Sequence, residues 1–278
     1  MEGRNAITEE AIAGGLKTRW LGRPATVLPT VSSTNDRLQE MAAAGAPAGT
    51  MVIADFQSAG RGRKTGPGGR RWEAPAGSSL LLSLLFRPQW PAQQAPWLTM
   101  IAGVAVAEAV EGETGLSTGL KWPNDLMLRT GAGWGKSGGL LLESQVEGQP
   151  PRLRQAILGL GLNVNIPPEQ LPATATPATS LLAVRGRPFP RLPLLLAILE
   201  RLEMHYQAAE RGQSPFTTWN RRLITRDHPV QVRIETAEGT QMVTGIARGA
   251  DEWGRLLVED AAGRLHSFSA GDVTLRAP

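Results

Sequence analysis

The sequence predicts an α+β fold: a mixed or largely antiparallel sheet with helices, followed by a small β-barrel of about fifty residues. Three observations lead there. Apolar runs of strand length and amphipathic runs of helix length follow one another without regular βαβ alternation. From Pro229 the texture changes to short alternating runs, 230–234, 241–247, 255–258 and 265–268, separated by Gly, Asp and Glu turns. The 278 residues, 41% hydrophobic and 19% charged, hold material for one large core and an appendage. A main domain at 1–227 and a small β domain at 228–278 are expected.

Taken in order, Ile7, Ala11, Ile12 and Leu16 form a weak helical pattern. Ser33, with Asp36 three residues on, resembles a capping box ahead of Leu38, Met41 and Ala42, the apolar stripe of a short helix. Residues 51–55 read as a buried strand, and 80–86, stopped by Arg87-Pro88, as a second. Residues 92–110 carry a helical pattern in which Trp97 belongs to the core. Residues 120–128 are two short strands bent around Pro123, with Trp122 packed inside. Strands follow at 136–143 and 157–166. The second contains Gly159 and Gly161, and glycine inside a strand marks a bulge or a ligand's close approach. A Pro/Ala/Thr-rich connection at 167–179 leads to a long helix at 191–210.

Composition removes several classes of function. Without cysteine there is no disulfide, thiolate chemistry or zinc–cysteine site, and His205, His228 and His266 lack ligand-like spacing. No apolar run reaches the roughly eighteen residues of a transmembrane helix, and the N-terminus lacks a signal peptide's apolar core. A cytoplasmic protein without membrane contact is expected. A net charge of +4 implies a basic patch, not a wholesale nucleic-acid coat.

That patch is the run Gly60-Arg61-Gly62-Arg63-Lys64-Thr65-Gly66-Pro67-Gly68-Gly69-Arg70-Arg71-Trp72, in which five of thirteen residues are cationic. Glycine backbone can form an anion nest, and arginine offers forked donors to phosphate and carboxylate. A solvated basic loop or a flexible nucleic-acid tether fits the same run equally well. The rest of the chain weighs on the choice. Ser33-Thr34-Asn35, Lys121 with Asn124-Asp125, Lys136 with Gly138-Gly139, and Asn163 with Asn165 are further polar islands at strand or helix ends. Charges there are cheap only where solvent or a ligand satisfies them, so the set points to one anionic substrate. Neither a Walker loop nor a dinucleotide fingerprint is present.

These residues resemble the motifs of the biotin protein ligases. Gln57-Ser58-Ala59-Gly60-Arg61-Gly62-Arg63 with Trp72 is similar to that family's biotin-binding loop. Lys121-Trp122-Pro123-Asn124-Asp125, the strand from Lys136 to Glu143, Ser33-Thr34-Asn35, and the run from Gly159 to Asn165 resemble its other motifs, in the family's order. The resemblance implies a class II synthetase-like catalytic domain with an SH3-like C-terminal domain. It also implies ATP-dependent activation of biotin as biotinyl-5′-AMP, with Mg²⁺ accompanying ATP, and transfer to one lysine of a biotin carboxyl carrier protein.

By position, the resemblance assigns biotin to Ser33, Thr34, Asn35, Gln57, Gly60, Arg61, Gly62, Arg63, Lys136, Gly138 and Gly139. It has Arg61 closing over biotin, and gives ATP and the adenylate to Arg63, Arg70, Arg71, Trp72, Lys121, Asn124, Asp125, Lys136 and Asn163. Trp72 would stack on adenine, Asn163 would read its edge, and Lys136 and Arg63 would be catalytic. No metal site is built by protein alone; Mg²⁺ would come with ATP, near Asp125. Glu143 would be structural. The loop departs from the family pattern through extra residues around 65–68, which leaves Arg70 and Arg71 competing for one role.

Some members carry an N-terminal DNA-binding domain. Only about thirty residues precede Ser33 here, without a helix-turn-helix pattern, so no sequence-specific DNA binding is expected. Members occur as monomers or as homodimers formed along the sheet. Lipoate or octanoate attachment, and a non-enzymatic nucleic-acid module, remain the alternatives.

Overall fold

The computed structural model describes residues 7–63, 71–174, 176–236 and 239–275. A seven-stranded sheet is built from β1 (Ala25–Val31), β2 (Met51–Gln57), β3 (Ser79–Phe86), β4 (Thr118–Lys121), β5 (Asp125–Thr130), β6 (Gly133–Glu147) and β7 (Arg152–Asn163), in the order β1-β2-β3-β7-β6-β5-β4. Only β1 and β2 run parallel; the other pairs are antiparallel, so the sheet is mixed.

Helices cover both faces. On one, α2 (Thr34–Ala43) sets Leu38 and Ala42 against Val52, Leu85 and Ile157. On the other lie α1 (Glu9–Gly15), α3 (Pro96–Thr114) and α5 (Arg191–Glu210), and this core contains Leu80, Leu82, Leu84 and Phe86 from the alternate positions of β3. Helix α5 also buries Glu203, whose carboxylate accepts the N–H groups of Arg19, Trp20 and Leu21 at 2.8–3.1 Å. A buried charge is tolerable only with such bonds.

A second, antiparallel sheet holds β8 (Pro229–Thr236), β9 (Gly239–Ala250), β10 (Leu256–Glu259), β11 (Leu265–Phe268) and β12 (Asp272–Leu275), ordered β11-β10-β9-β8-β12. Its apolar face, including Val230, Val232, Leu256 and Val258, continues the main core. The Trp122 indole N–H donates to the Gly254 carbonyl at 2.8 Å, and Ala250 N–H donates to Asn220 Oδ1 at 3.1 Å. Trp122 is 1% exposed, packed as the sequence implies, and it also seats the second sheet. Among the described residues no helix is long and apolar enough to cross a membrane.

Four elements escape the sequence reading. Strand β1 carries Pro29, which a sheet tolerates at its edge. Helices α4 (Leu181–Arg185) and α6 (Phe216–Arg221) have five and six residues, too few to show a helical period. Strand β12 has four residues and follows Gly271 directly.

Candidate active site

Side chains of cross-strand partners share a face of the sheet. Gly161 stands between Leu81 and Gly139, Gly159 between Ser83 and Leu141, and Ile157 between Leu85 and Glu143. Because Leu85 and Ile157 pack beneath α2, all these positions lie on the α2 face. A cavity of about 490 Å³ opens there, bounded by the start of α2, the base of the Gly/Arg loop, Pro172, Thr174, Thr176 and Ala178, and the start of β12. That volume suits a small-molecule ligand.

The inner wall is a chain of hydrogen bonds between neutral side chains that ends on a carboxylate. Ser33 caps α2, its hydroxyl accepting from Asp36 N–H, while Thr34 N–H donates to Gln57 Oε1 at 2.8 Å. The Thr34 hydroxyl donates to the same oxygen at 3.1 Å. The hydroxyl of Ser83, on β3, lies 2.7 Å from Thr34 Oγ1 and 2.5 Å from Asn35 Oδ1. Asn35 Nδ2 in turn donates to Glu143 Oε2 at 2.7 Å. A Cβ at Gly159 would stand 2.5 Å from Asn35 Oδ1, so that glycine makes room for Asn35 itself. Ser33, Thr34, Asn35 and Ser83 are all nearly inaccessible to solvent.

The outer wall is charged, and a register shift aims its lysine. Gly138 pairs with Leu126 but Lys136 pairs with Met127, leaving Ser137 as an extra residue opposite the junction. In a regular strand Lys136 would face away from Gly139. The bulge returns it to the cavity side, as bulges beside active sites do. Lys136 Nζ then meets Asp125 at 2.6 Å. The chain at Lys136 pairs with residues 177–179: its N–H donates to Pro177 O at 2.7 Å and its carbonyl accepts from Thr179 N–H at 2.8 Å. The Pro/Ala/Thr connection is therefore a lip of the cavity. Lys121 Nζ donates to Thr176 at 2.8 Å, and Asn163 Nδ2 donates to the Thr179 carbonyl at 3.0 Å. Asn163 Oδ1 is buried without a partner. Asn124 holds the bend, its amide donating to the Leu140 carbonyl at 2.5 Å while Leu140 N–H donates to the Asn124 carbonyl.

The two ends of the Gly/Arg loop are drawn together. Trp72 N–H donates to the Gly60 carbonyl at 2.9 Å, and Arg61 and Arg71 form an antiparallel bridge. Trp72 lies over the floor: a Cβ at Gly161 would stand 2.6 Å from its indole. The Arg61 guanidinium, expected over biotin, is engaged by Glu143 and Asp36. Arg63 Nη1 approaches the Gly271 carbonyl at 3.5 Å, so the loop also touches the second sheet.

Most residues that the sequence nominates meet in this cavity. Ser33, Thr34, Asn35, Gln57, Arg61, Gly62, Arg63, Arg71, Trp72, Lys121, Asn124, Asp125, Lys136, Gly139 and Asn163 line it. Gly60 and Gly138 do not. The α-carbon of Gly60 faces the Trp72 carbonyl, and that of Gly138 packs on the Gly161 carbonyl and Leu126. Arg70 and the inserted residues 64–69 lie outside the described residues. Asn165 is turned away, bonding Phe189 through both ends of its amide. The sequence reading missed Ser83, which backs the wall through Thr34 and Asn35, and the lining residues Pro172, Thr174, Thr176, Ala178 and 271–274. A lone serine among leucines in β3 was the one available signal. Among the described residues no group of three or more His, Asp or Glu could hold a metal.

Comparison with known proteins agrees with this geometry. Residues 27–163 match the Biotin/lipoate A/B protein ligase family, and 230–276 match the Biotin protein ligase C terminal domain. The biotin–[acetyl-CoA-carboxylase] ligase of Mycobacterium tuberculosis is 37% identical over 96% of this chain and 93% of its own length. The bifunctional ligase/repressor BirA of Bacillus subtilis is 34% identical over 95% of this chain and 78% of its own. Among solved structures, the Aquifex aeolicus biotin protein ligase in complex with biotin and ATP superposes with a TM-score of 0.71, at 28% identity, covering 91% of this chain and 99% of that one. With both parts matched in order and relatives aligned nearly end to end, the chain belongs to the biotin protein ligase family.

Proposed function

We propose that the cavity joins biotin to ATP, forming biotinyl-5′-AMP and pyrophosphate, and then passes the biotinyl group to a lysine of a biotin carboxyl carrier domain. One observation carries this reading: on a single sheet face the cavity is hydrogen-bonded and without net positive charge at its inner end, and cationic at its outer end. Biotin has the same polarity, with an uncharged ureido ring at one end and a carboxylate at the other. Ring N–H and C=O groups suit the hydroxyls and amides of Ser33, Thr34, Asn35 and Gln57. The carboxylate then lies towards Lys136 and Arg63.

In the first step the biotin carboxylate oxygen attacks the α-phosphorus of ATP and pyrophosphate leaves. Two anions must approach, so cations have to offset their repulsion as charge develops. Lys136 is suited to that task, held by Asp125 and aimed by the bulge. Mg²⁺ enters with ATP as part of the substrate. Trp72 offers a face for adenine, and the unpartnered Asn163 Oδ1 suits its exocyclic amine. In the second step the carrier lysine, as free amine, attacks the acyl carbon of the mixed anhydride. AMP leaves and the amine proton passes to solvent or the departing phosphate. Closure by the Gly/Arg loop keeps water from the anhydride meanwhile.

The test is biotin-dependent exchange of pyrophosphate into ATP, compared with lipoate and octanoate. Exchange with biotin alone is expected; none with biotin would refute the reading. Lipoate is the specific rival, but its dithiolane has no N–H or C=O to meet the inner wall. The same reading includes no sequence-specific DNA binding, and a ligand-dependent gel shift on an operator would contradict it.

A further inference from the structure

We propose that Glu143, assisted by Asp36, is a positioning residue: through Arg61 it fixes the neck of the Gly/Arg loop and so sets how firmly the adenylate is retained. The inference rests on the ligase reading above. Glu143 Oε1 accepts from Arg61 Nη1 at 2.9 Å and Oε2 from Nη2 at 3.1 Å, a bidentate pair, while Asp36 Oδ1 accepts from Nη2 at 2.5 Å. Forked pairs of this kind fix orientation as well as distance. Three elements meet at one guanidinium: β6, the first turn of α2 and the loop.

The same carboxylate governs the inner wall. Oε2 accepts from Asn35 Nδ2, which leaves Asn35 Oδ1 turned to Ser83. Glu143 thus sets both the acceptor pattern of the ring pocket and the placement of Arg61 at the loop's neck. Charge adds a second effect. Two carboxylates around one guanidinium leave the inner end with a local balance of −1, by the count of Asp36 and Glu143 against Arg61. An entering carboxylate is repelled from that end and turned towards Lys136. The neck is pinned across the loop by the Trp72 N–H to Gly60 carbonyl bond.

The experiment compares Glu143→Ala, Glu143→Gln, Arg61→Gln and the Glu143→Gln/Arg61→Gln double variant of the full chain. In Glu143→Ala, amide hydrogen exchange at Trp72 should accelerate about tenfold in the ligand-free protein, as expected when a charge-assisted anchor is lost from a local opening unit. The biotin KM should rise roughly tenfold and adenylate should escape into solution faster, while single-turnover adenylation at saturating biotin stays within about threefold, since ground-state positioning is lost and charge stabilisation is not. Glu143→Gln, which keeps an acceptor for Asn35, should recover part of the KM. The double variant should be no worse than the poorer single one, because both remove one pair. Unchanged Trp72 exchange with a biotin KM within twofold of the parent, or additive losses in the double variant, would overturn the proposal. Should Glu143→Ala fail to fold, the glutamine variant and the cycle decide it. If the parent shows no biotin-dependent exchange the ligase reading fails, and the Trp72 amide still tests the neck.

Discussion

The two walls of the cavity solve opposite problems. The inner wall, from Ser33 through Gln57, Thr34, Ser83 and Asn35 to Glu143, is a closed chain in which each group already has a partner. The outer wall, Lys121, Asp125, Lys136 and Arg63, is charged and partly open; the side chains of Lys136 and Asp125 are 25% and 13% exposed. Neutral hydrogen bonds gain their value from fixed geometry, because an unmet buried group costs about 1–3 kcal/mol. Charges act at longer range and tolerate movement, which suits a phosphate chain that rearranges during reaction. The difference teaches that one face can divide its labour: selection where hydrogen bonds fix the geometry, and chemistry where cations stand.

That division can be broken from either side. The largest effect belongs to Lys136→Ala, which should slow adenylation roughly a thousandfold and weaken biotin binding far less, since the charge acts chiefly on the transition state. Rapid-quench adenylation with calorimetric biotin binding measures both, and equal losses would dissolve the distinction. Next comes Ser83→Ala, which removes the hub between Thr34 and Asn35. Biotin should bind roughly ten- to a hundredfold more weakly with the single-turnover rate almost unchanged, the expected consequence of one buried group left unmet. A lowered rate with unaltered affinity would assign Ser83 to the other wall.

Smaller still is the response to salt. Between about 0.05 and 0.5 M ionic strength the ATP KM should rise several-fold and the biotin Kd less, because the triphosphate carries more charge to be screened than one carboxylate does. Parallel slopes in a titration series would show that the walls are not separate. The smallest is Trp122→Phe, which deletes the bond to the Gly254 carbonyl. It should lower stability by about 1 kcal/mol, the usual worth of such a bond. Any kinetic change should fall on ATP and not on biotin, as seen in melting curves and KM values.

Much of this was legible because alternation in a strand is a strong signal. Apolar runs with polar ends announced strands β2, β3, β5 and β6, while the register that aligns Asp125, Gly139 and Gly161 across three strands is a property of the fold. What stayed hidden depends on distance or on irregularity. Arg61 and Glu143 are 82 positions apart, so no local pattern joins them. Residues 172–178 look like an ordinary connection, and only the bond from Lys121 and the pairing with Lys136 make them a wall. Glycine at 159 marks a bulge or a ligand's close approach by sequence alone; in the fold it lines the cavity and makes room for Asn35. The contribution of residues 271–274 required knowing where the second sheet sits, which Trp122 and Asn220 decide.

The bulge at Ser137 has a genetic corollary. Because faces alternate, the orientation of Lys136 depends on the parity of residues between it and Gly139. An in-frame deletion of the Ser137 codon would remove the bulge and leave an even spacing, so Lys136 would still pair with Met127 and face the cavity. Regular pairing of Ser137 with Met127 at full length would instead turn the lysine to the face where α3 packs. In this strand, length and register have to change together.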